Sequence, residues 1–121
     1  ALLAGYKRAS NILAAEEKKE GRRFDGKVDP SGFRDDDEIA LHERCDALAA
    51  KPVADTDTAI ARMQSLGGLR APIDSFFENV TVNDDDQQTR LNRLNLLARI
   101  RMIMEEVADF SAIEGQTEQK G

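Results

Sequence analysis

The residues of this chain that could do covalent, acid–base or metal chemistry are few: one cysteine, one histidine and two short runs of carboxylates. Cys45 has no second cysteine with which to form a disulfide or a zinc knuckle. It falls on an apolar stripe, with no basic group evident to lower its pKa, and reads as a small buried hydrophobe. His42 sits beside Glu43, but no second histidine follows at helical spacing, so the zinc-protease pattern is absent; an exposed or capping histidine is expected. The run Asp84-Asp85-Asp86 resembles the start of a calcium loop. Counted from Asp84, however, the position that needs glycine holds Thr89 and the position that needs glutamate holds Asn95. An acidic helix cap, favoured by the helix dipole, is the reading that remains. Asp35-Asp36-Asp37-Glu38 fails in the same way at Ile39. No Gly-x-x-x-x-Gly-Lys precedes a helix, so a phosphate-cradling loop is also missing. No catalytic residue, metal ligand or cofactor site is expected.

What remains is recognition chemistry, and its raw material is charge. The 121 residues carry a net charge of −6, which argues against indiscriminate nucleic-acid binding. The distribution is uneven. Residues 1–27 hold seven basic and four acidic side chains, residues 28–89 five and fourteen, and residues 90–101 four arginines and no acid. With a Debye length of about 8 Å in physiological salt, this local asymmetry matters more to a docking phosphate than the total does.

The elements that must position these charges are helices. Leu2, Tyr6, Ala9 and Leu13 make one apolar stripe, and Lys7, Asn11, Ala14 and Lys18 repeat its spacing on a polar face about 140° away. This predicts a helix over 2–20, ended by Gly21 in the left-handed cap conformation. Residues 21–36 form a loop pinned by Phe24 and Phe33; loops of this length are often functional. Asp35 or Asp36 starts a second helix with Glu38 reaching back, Ile39, Leu41, Cys45 and Leu48 inward, and Pro52 after its end. A third starts at Asp55 or Thr56, with Ile60, Met63 and Leu66 inward, and closes at Gly67-Gly68. Pro72 opens a fourth, lined by Ile73, Phe76, Phe77 and Val80. Val80-Thr81-Val82 interrupts it, and Asn83-Asp84-Asp85-Asp86 caps the last helix.

That last helix, about 85–110, carries two stripes: Leu96, Ile100, Ile103, Val107 and Phe110, and Leu91, Leu94, Ala98 and Met102. Apolar on two sides, it is expected at the centre of a bundle. The fold class is therefore all-α, one bundle of about five helices with a long central C-terminal helix. Residues 1–113 are expected to form the domain and Glu114 to Gly121 a polar, disordered tail. The opening Ala1-Leu2-Leu3-Ala4 is too short and lacks the basic leader of a signal peptide. An excised domain is expected, with no membrane span.

The segments Lys7-Arg8-Ala9-Ser10-Asn11-Ile12-Leu13, Phe24-Asp25-Gly26-Lys27-Val28-Asp29, Pro72 to Val82, Arg90-Leu91-Asn92-Arg93-Leu94 and Val107-Ala108-Asp109-Phe110 together resemble the C-terminal anticodon-binding domain of bacterial glycyl-tRNA synthetase β subunits, of the DALR type. The resemblance runs in order along nearly the whole chain, weakest over 35–70. The Phe-Phe-x-x-Val-x-Val and Arg-x-Asn-Arg-Leu segments are shared with arginyl-tRNA synthetases; the opening and the Val-Ala-Asp-Phe ending favour glycine. Asn83 stands where such domains often carry methionine.

The resemblance implies a helical domain that meets the anticodon stem and loop of a glycine tRNA. It further implies a parent ligase using ATP and magnesium, a separate α subunit holding most of the catalytic centre, and a cytoplasmic setting with no membrane or DNA partner. RNA loops are read by stacking unpaired bases and bonding their edges while cations steer the backbone. On charge and face, Lys7, Arg8, Arg22, Arg23 and Arg90 are the candidate phosphate contacts. Asn11 is the candidate base-edge contact, and Phe24 a stacking platform if exposed; Phe76 and Phe77 read as core. Some of the arginines over 90–101 are expected to pair with internal acids. Two other readings stand beside this one: an arginine-specific domain, and a helical protein-interaction module whose acidic middle meets a basic partner. The RNA reading requires the basic segments at the two ends of the chain to converge.

Overall fold

The computed structural model describes the backbone of residues 2–82 and 84–120 and the side chains of 4–82 and 84–108. Asn83 and the side chains of Leu2 at the head of the first stripe, of Phe110 and of the Glu114–Gly121 tail lie outside the described residues. Five α-helices follow in order among the described residues, with no strand: α1 (Leu2–Glu20), α2 (Asp36–Ala49), α3 (Thr56–Leu66), α4 (Arg70–Asn79) and α5 (Gln87–Lys120). The last runs past residue 110, where its apolar periodicity ends. No helix among the described residues is long and apolar enough to cross a membrane.

Local chemistry sets the helix ends. Gly21 takes φ +67° and donates its N–H to the Glu17 carbonyl, closing α1, a conformation that costs a residue with a Cβ about 1–2 kcal/mol. Asp55 caps α3 reciprocally, its carboxylate accepting from the Thr58 N–H while the Thr58 hydroxyl accepts from the Asp55 N–H. Asp86 accepts from the Thr89 N–H at the start of α5. Glu38 does reach back, to the Arg34 N–H at 3.2 Å, although Asp35 itself makes no side-chain cap bond.

α5 is the axle of the bundle. Residues 92–98 are buried on every side, and Ala9 and Leu13 of α1, Leu41 and Cys45 of α2, and Ile73 and Phe76 of α4 close around them. Each fully buried Leu, Ile or Phe contributes about 1.5–3 kcal/mol.

The expected stripes were wrong in places. Ile39, Ile60, Met63 and Met102 are exposed rather than inward. On α3 the buried residues are Ala59, Arg62 and Leu66. Arg62 turns in because α2 ends against it: Nη2 donates to the carbonyls of Leu48 and Lys51, both at 3.0 Å. Orphan carbonyls at a helix C-terminus recruit a guanidinium more strongly than Met63 can recruit apolar cover. His42 is half-buried rather than exposed, 3.1 Å from Asp46 and edge-on to Phe33.

The loop between α1 and α2 lies antiparallel along α5, held rung by rung. Asn95 accepts from the Gly26 N–H and donates to the Lys27 carbonyl; Asn92 accepts from the Asp29 N–H at 2.7 Å and donates to the Asp29 carbonyl at 2.8 Å. The two amides thus substitute for a neighbouring strand. Close approach depends on glycine at two places. A Cβ on Gly32 would lie 2.9 Å from Asn92 Nδ2, and one on Gly26, which has φ +76°, would lie 3.1 Å from Met102 Sδ.

Candidate nucleic-acid interface

α1 carries two opposed electrostatic faces. At 100° per residue, Lys7, Asn11 and Lys18 fall within about 40° of one another, with Arg8 and Lys19 beside them. All five are exposed. Glu16, Glu17 and Glu20 project from the rest of the helix toward α5, where they meet arginines. Glu16 also lies 3.9 Å from Lys19; Lys7, Arg8 and Lys18 are left on the solvent side because the carboxylates of the same helix are engaged elsewhere.

Lys7 has no ion-pair partner among the described residues. Arg8 lies with its guanidinium carbon 4.4 Å from the centre of the half-buried Phe77 ring, a cation–π contact that fixes the direction of an otherwise mobile side chain. Asn11, one turn from Lys7, presents an amide that can both donate and accept. Lys7, Arg8 and Asn11 form one continuous surface.

Arg22 and Arg23 follow the end of α1, about 20 Å along its axis from Lys7. Both are more than half exposed and weakly tied, Arg22 4.0 Å from Glu20 and Arg23 3.4 Å from Glu105. Arg22 also covers the Phe24 ring at 4.9 Å. Phe24 is 2% exposed, so it pins the loop into the core and cannot stack on a base. That expectation is corrected.

Arg90 is also reassigned. Its Nη2 is 2.6 Å from Glu16 and 3.0 Å from Glu20, and the side chain is 15% exposed. Burial opposes its charge, but hydrogen bonds to Glu16 and Glu20 outweigh that and raise its pKa. The other arginines of α5 are matched in the same manner: Arg93 to buried Glu38 and to Asp84, Arg99 to Asp46, Arg101 to Glu17. The Arg101 hydrogen bonds hold the Glu17 carboxyl below its ordinary range despite opposing desolvation. The basic block at 90–101 is thus neutralised by carboxylates of this chain and does not converge with the N-terminal cations. The expected convergence of the two basic segments is corrected, and any RNA contact from these segments rests on the α1 cations alone. The positive surface is a stripe along α1, ending at Arg22 and Arg23.

Cys45 sits 0% exposed among the core side chains, and burial pushes its thiol up to about 11, where no nucleophilic thiolate exists near neutrality. Among the described residues no group of three histidine, cysteine or carboxylate side chains could hold a metal ion. Reading the sequence alone missed Asn95 as a holder of the loop and Glu38 as the buried partner of Arg93. A polar position on an otherwise apolar face of a central helix was the available signal for Asn95, since buried amides must find partners.

Comparison with known proteins adds a second line of support. The family profile of the DALR anticodon binding domain matches residues 2–114. The chain is 46% identical over 117 residues to the glycine–tRNA ligase β subunit of Rhodospirillum centenum, covering 94% of this chain and 16% of that protein. It is 47% identical over 120 residues to the β subunit of Ruegeria sp., covering 94% and 17%, and 41% identical over 116 residues to that of Dinoroseobacter shibae. The chain spans about one-sixth of the length of these curated relatives.

Proposed function

Because this chain belongs to the DALR anticodon-binding domain family, we propose that it is the tRNA-recognition domain of a glycine–tRNA ligase β subunit, binding the anticodon stem and loop of a glycine tRNA. The observation that carries the reading is the exposed face of α1, where Lys7, Arg8 and Asn11 stand with no ion-pair partner among the described residues, Arg8 sharing a shallow cleft with Asp74 and Glu78, while every arginine over 90–101 is matched to a carboxylate. Cations there attract the RNA backbone and set its register, and the Asn11 amide reads a base edge. Arg22 and Arg23 extend the same attraction toward the far end of α1.

Catalysis belongs to the longer protein and its assembly. On this reading ATP and magnesium are bound outside this chain, an α subunit supplies most of the catalytic centre, and residues 1–113 form the RNA-binding unit within a cytoplasmic enzyme. The matched relatives favour glycine over the arginine-specific alternative.

The test is a titration of the chain with RNA hairpins carrying glycine or arginine anticodons, followed by amide chemical shifts and repeated across salt concentrations. Tighter binding of the glycine hairpin is expected, with log affinity falling by about 0.7 per phosphate contact for each decade of salt. Lys7→Glu with Arg8→Glu should weaken binding and leave helicity unchanged. Equal binding by the native and charge-reversed chains would refute the assignment of the α1 face.

A further inference from the structure

The part of the chain between residues 28 and 89 is strongly acidic, yet three of its five basic residues come together. Arg44 of α2, Lys51 after it and Arg62 of α3 line one cleft of about 560 Å³ between α2, the α2–α3 connection and the Gly67–Leu69 turn. None of the fourteen carboxylates of that stretch lines it. The volume lies within the roughly 300–1,000 Å³ of small-ligand pockets.

The three cations have different duties. Arg62 is occupied with the carbonyls that end α2 and stands 3.6 Å from Glu106, so it forms an inner wall. Arg44 and Lys51 have no ion-pair partner among the described residues, and both are exposed. Arg44 Nη1 lies 3.7 Å from where a Cβ on Gly68 would sit, so its guanidinium crosses the turn at the edge of the cleft. Leu48 and Pro52 supply an apolar floor, and Ser65 adds a hydroxyl. An adjoining cleft shares Arg44 but carries Asp37 and Glu43, which repel an anion.

A small inorganic anion would satisfy the two cations and leave the apolar floor bare. A nucleotide matches both halves, having a flat apolar ring joined to a phosphate. We propose that this cleft seats one unstacked nucleotide of single-stranded RNA, its base against Leu48 and Pro52 and its phosphate on Arg44 and Lys51. The inference rests on the RNA-binding reading above and adds to it a second contact, built without any residue of α1. A peptide presenting one apolar and one acidic side chain is the competing occupant.

The test uses two variants that act differently on the cleft. Ala61→Trp, at an exposed lining position of α3, fills the space and keeps the charge; Arg44→Ser with Lys51→Ser removes the charge and keeps the space. With the glycine-anticodon hairpin, Ala61→Trp should raise Kd at least threefold with an unchanged salt slope. The double serine variant should lower that slope by about 0.7, one phosphate contact's worth. Cytidine monophosphate should shift the Ser65 and Gly68 amides further than inorganic phosphate does.

If the native chain binds the hairpin, Lys7→Glu with Arg8→Glu weakens it and both cleft variants bind as the native chain does, the cleft assignment falls and the α1 reading stands. If phosphate alone reproduces the nucleotide shifts, no base is seated and the assignment also falls. Cleft amides that ignore RNA but respond to an acidic peptide would make the site a protein contact instead. A native chain that binds no hairpin overturns both readings.

Discussion

Replacing Glu17 by alanine should destabilise the bundle by about 3 kcal/mol. The carboxylate receives both terminal nitrogens of Arg101 at 2.8 Å and the Phe24 N–H at 2.8 Å. The Arg101 and Glu17 side chains are 10% and 17% exposed. An exposed ion pair contributes at most about 1 kcal/mol, whereas removing one partner of a buried pair costs about 3–5. This pair is nearly enclosed, and the orphaned guanidinium would retain the Phe24 carbonyl at 3.4 Å and Glu105 at 4.0 Å, which places the cost near the lower end. For a domain of this size that corresponds to a melting temperature lower by roughly 12 °C. Urea unfolding at pH 7 measures it, as a shift in midpoint at constant m value. Glu17→Gln retains an acceptor for the Phe24 N–H and should cost less. The pH dependence has a definite sign. The native state holds the carboxyl below its ordinary value of 4.5. The charge contribution is therefore complete above the unfolded-state value and is lost as pH falls through the folded one. The difference between the native chain and Glu17→Gln should shrink below about pH 4.5. A cost under about 1 kcal/mol for Glu17→Ala, or a difference indifferent to acid, would refute the reasoning. RNA binding should also weaken in Glu17→Ala, because the same carboxylate anchors the chain just after Arg22 and Arg23.

Other consequences can be checked by standard means. Gly21→Ala meets open space at φ +67° and should cost about 1 kcal/mol. Gly26→Ala also drives its Cβ toward Met102 and Arg99, so its thermal midpoint should fall further than that of Gly21→Ala; equal losses would contradict the close packing of the loop on α5. Asn92→Ala removes both bonds to Asp29 and should cost about 2 kcal/mol. Hydrogen exchange should accelerate over residues 26–32, and unchanged protection there would show that the loop is held by other means. Cys45, with its thiol pushed up to about 11, should resist iodoacetamide at pH 8 in the native state and react promptly in urea. Rapid alkylation of the folded chain would place the thiol outside the core.

Legibility differed by kind of interaction. The end of α1 and the start of α3 are written locally, in Gly21 and in the Asp55–Thr58 capping pair, because each acts on neighbours within one helical turn, and Pro72 falls in the first turn of α4, which begins at Arg70. The central place of α5 is equally legible, since apolar residues on all its sides can be buried only by surrounding helices. The side of α3 that faces inward was not. Ile60 and Met63 are the more hydrophobic pair, yet Arg62 points in because the open end of α2, met only in three dimensions, needs a donor. The candidate RNA-binding residues divided the same way. Lys7 and Asn11 share a face by helical geometry alone, with Arg8 at its edge. Phe24 and Arg90 were misjudged because an aromatic ring's burial and an arginine's partner depend on what packs opposite.

The sequence by itself determined an all-α bundle, the helix that runs through it and the cationic face of α1, because these follow from periodicity and from contacts within a few residues. Only the tertiary structure decided which charges remain for a ligand. Arg90 and Arg101 meet Glu16, Glu20 and Glu17 across 70 to 84 positions of chain, and Arg44 and Lys51 reach one cleft from a segment whose overall charge is negative. Charge neutralisation depends on distances of a few ångströms in space, and those are set by how the helices pack.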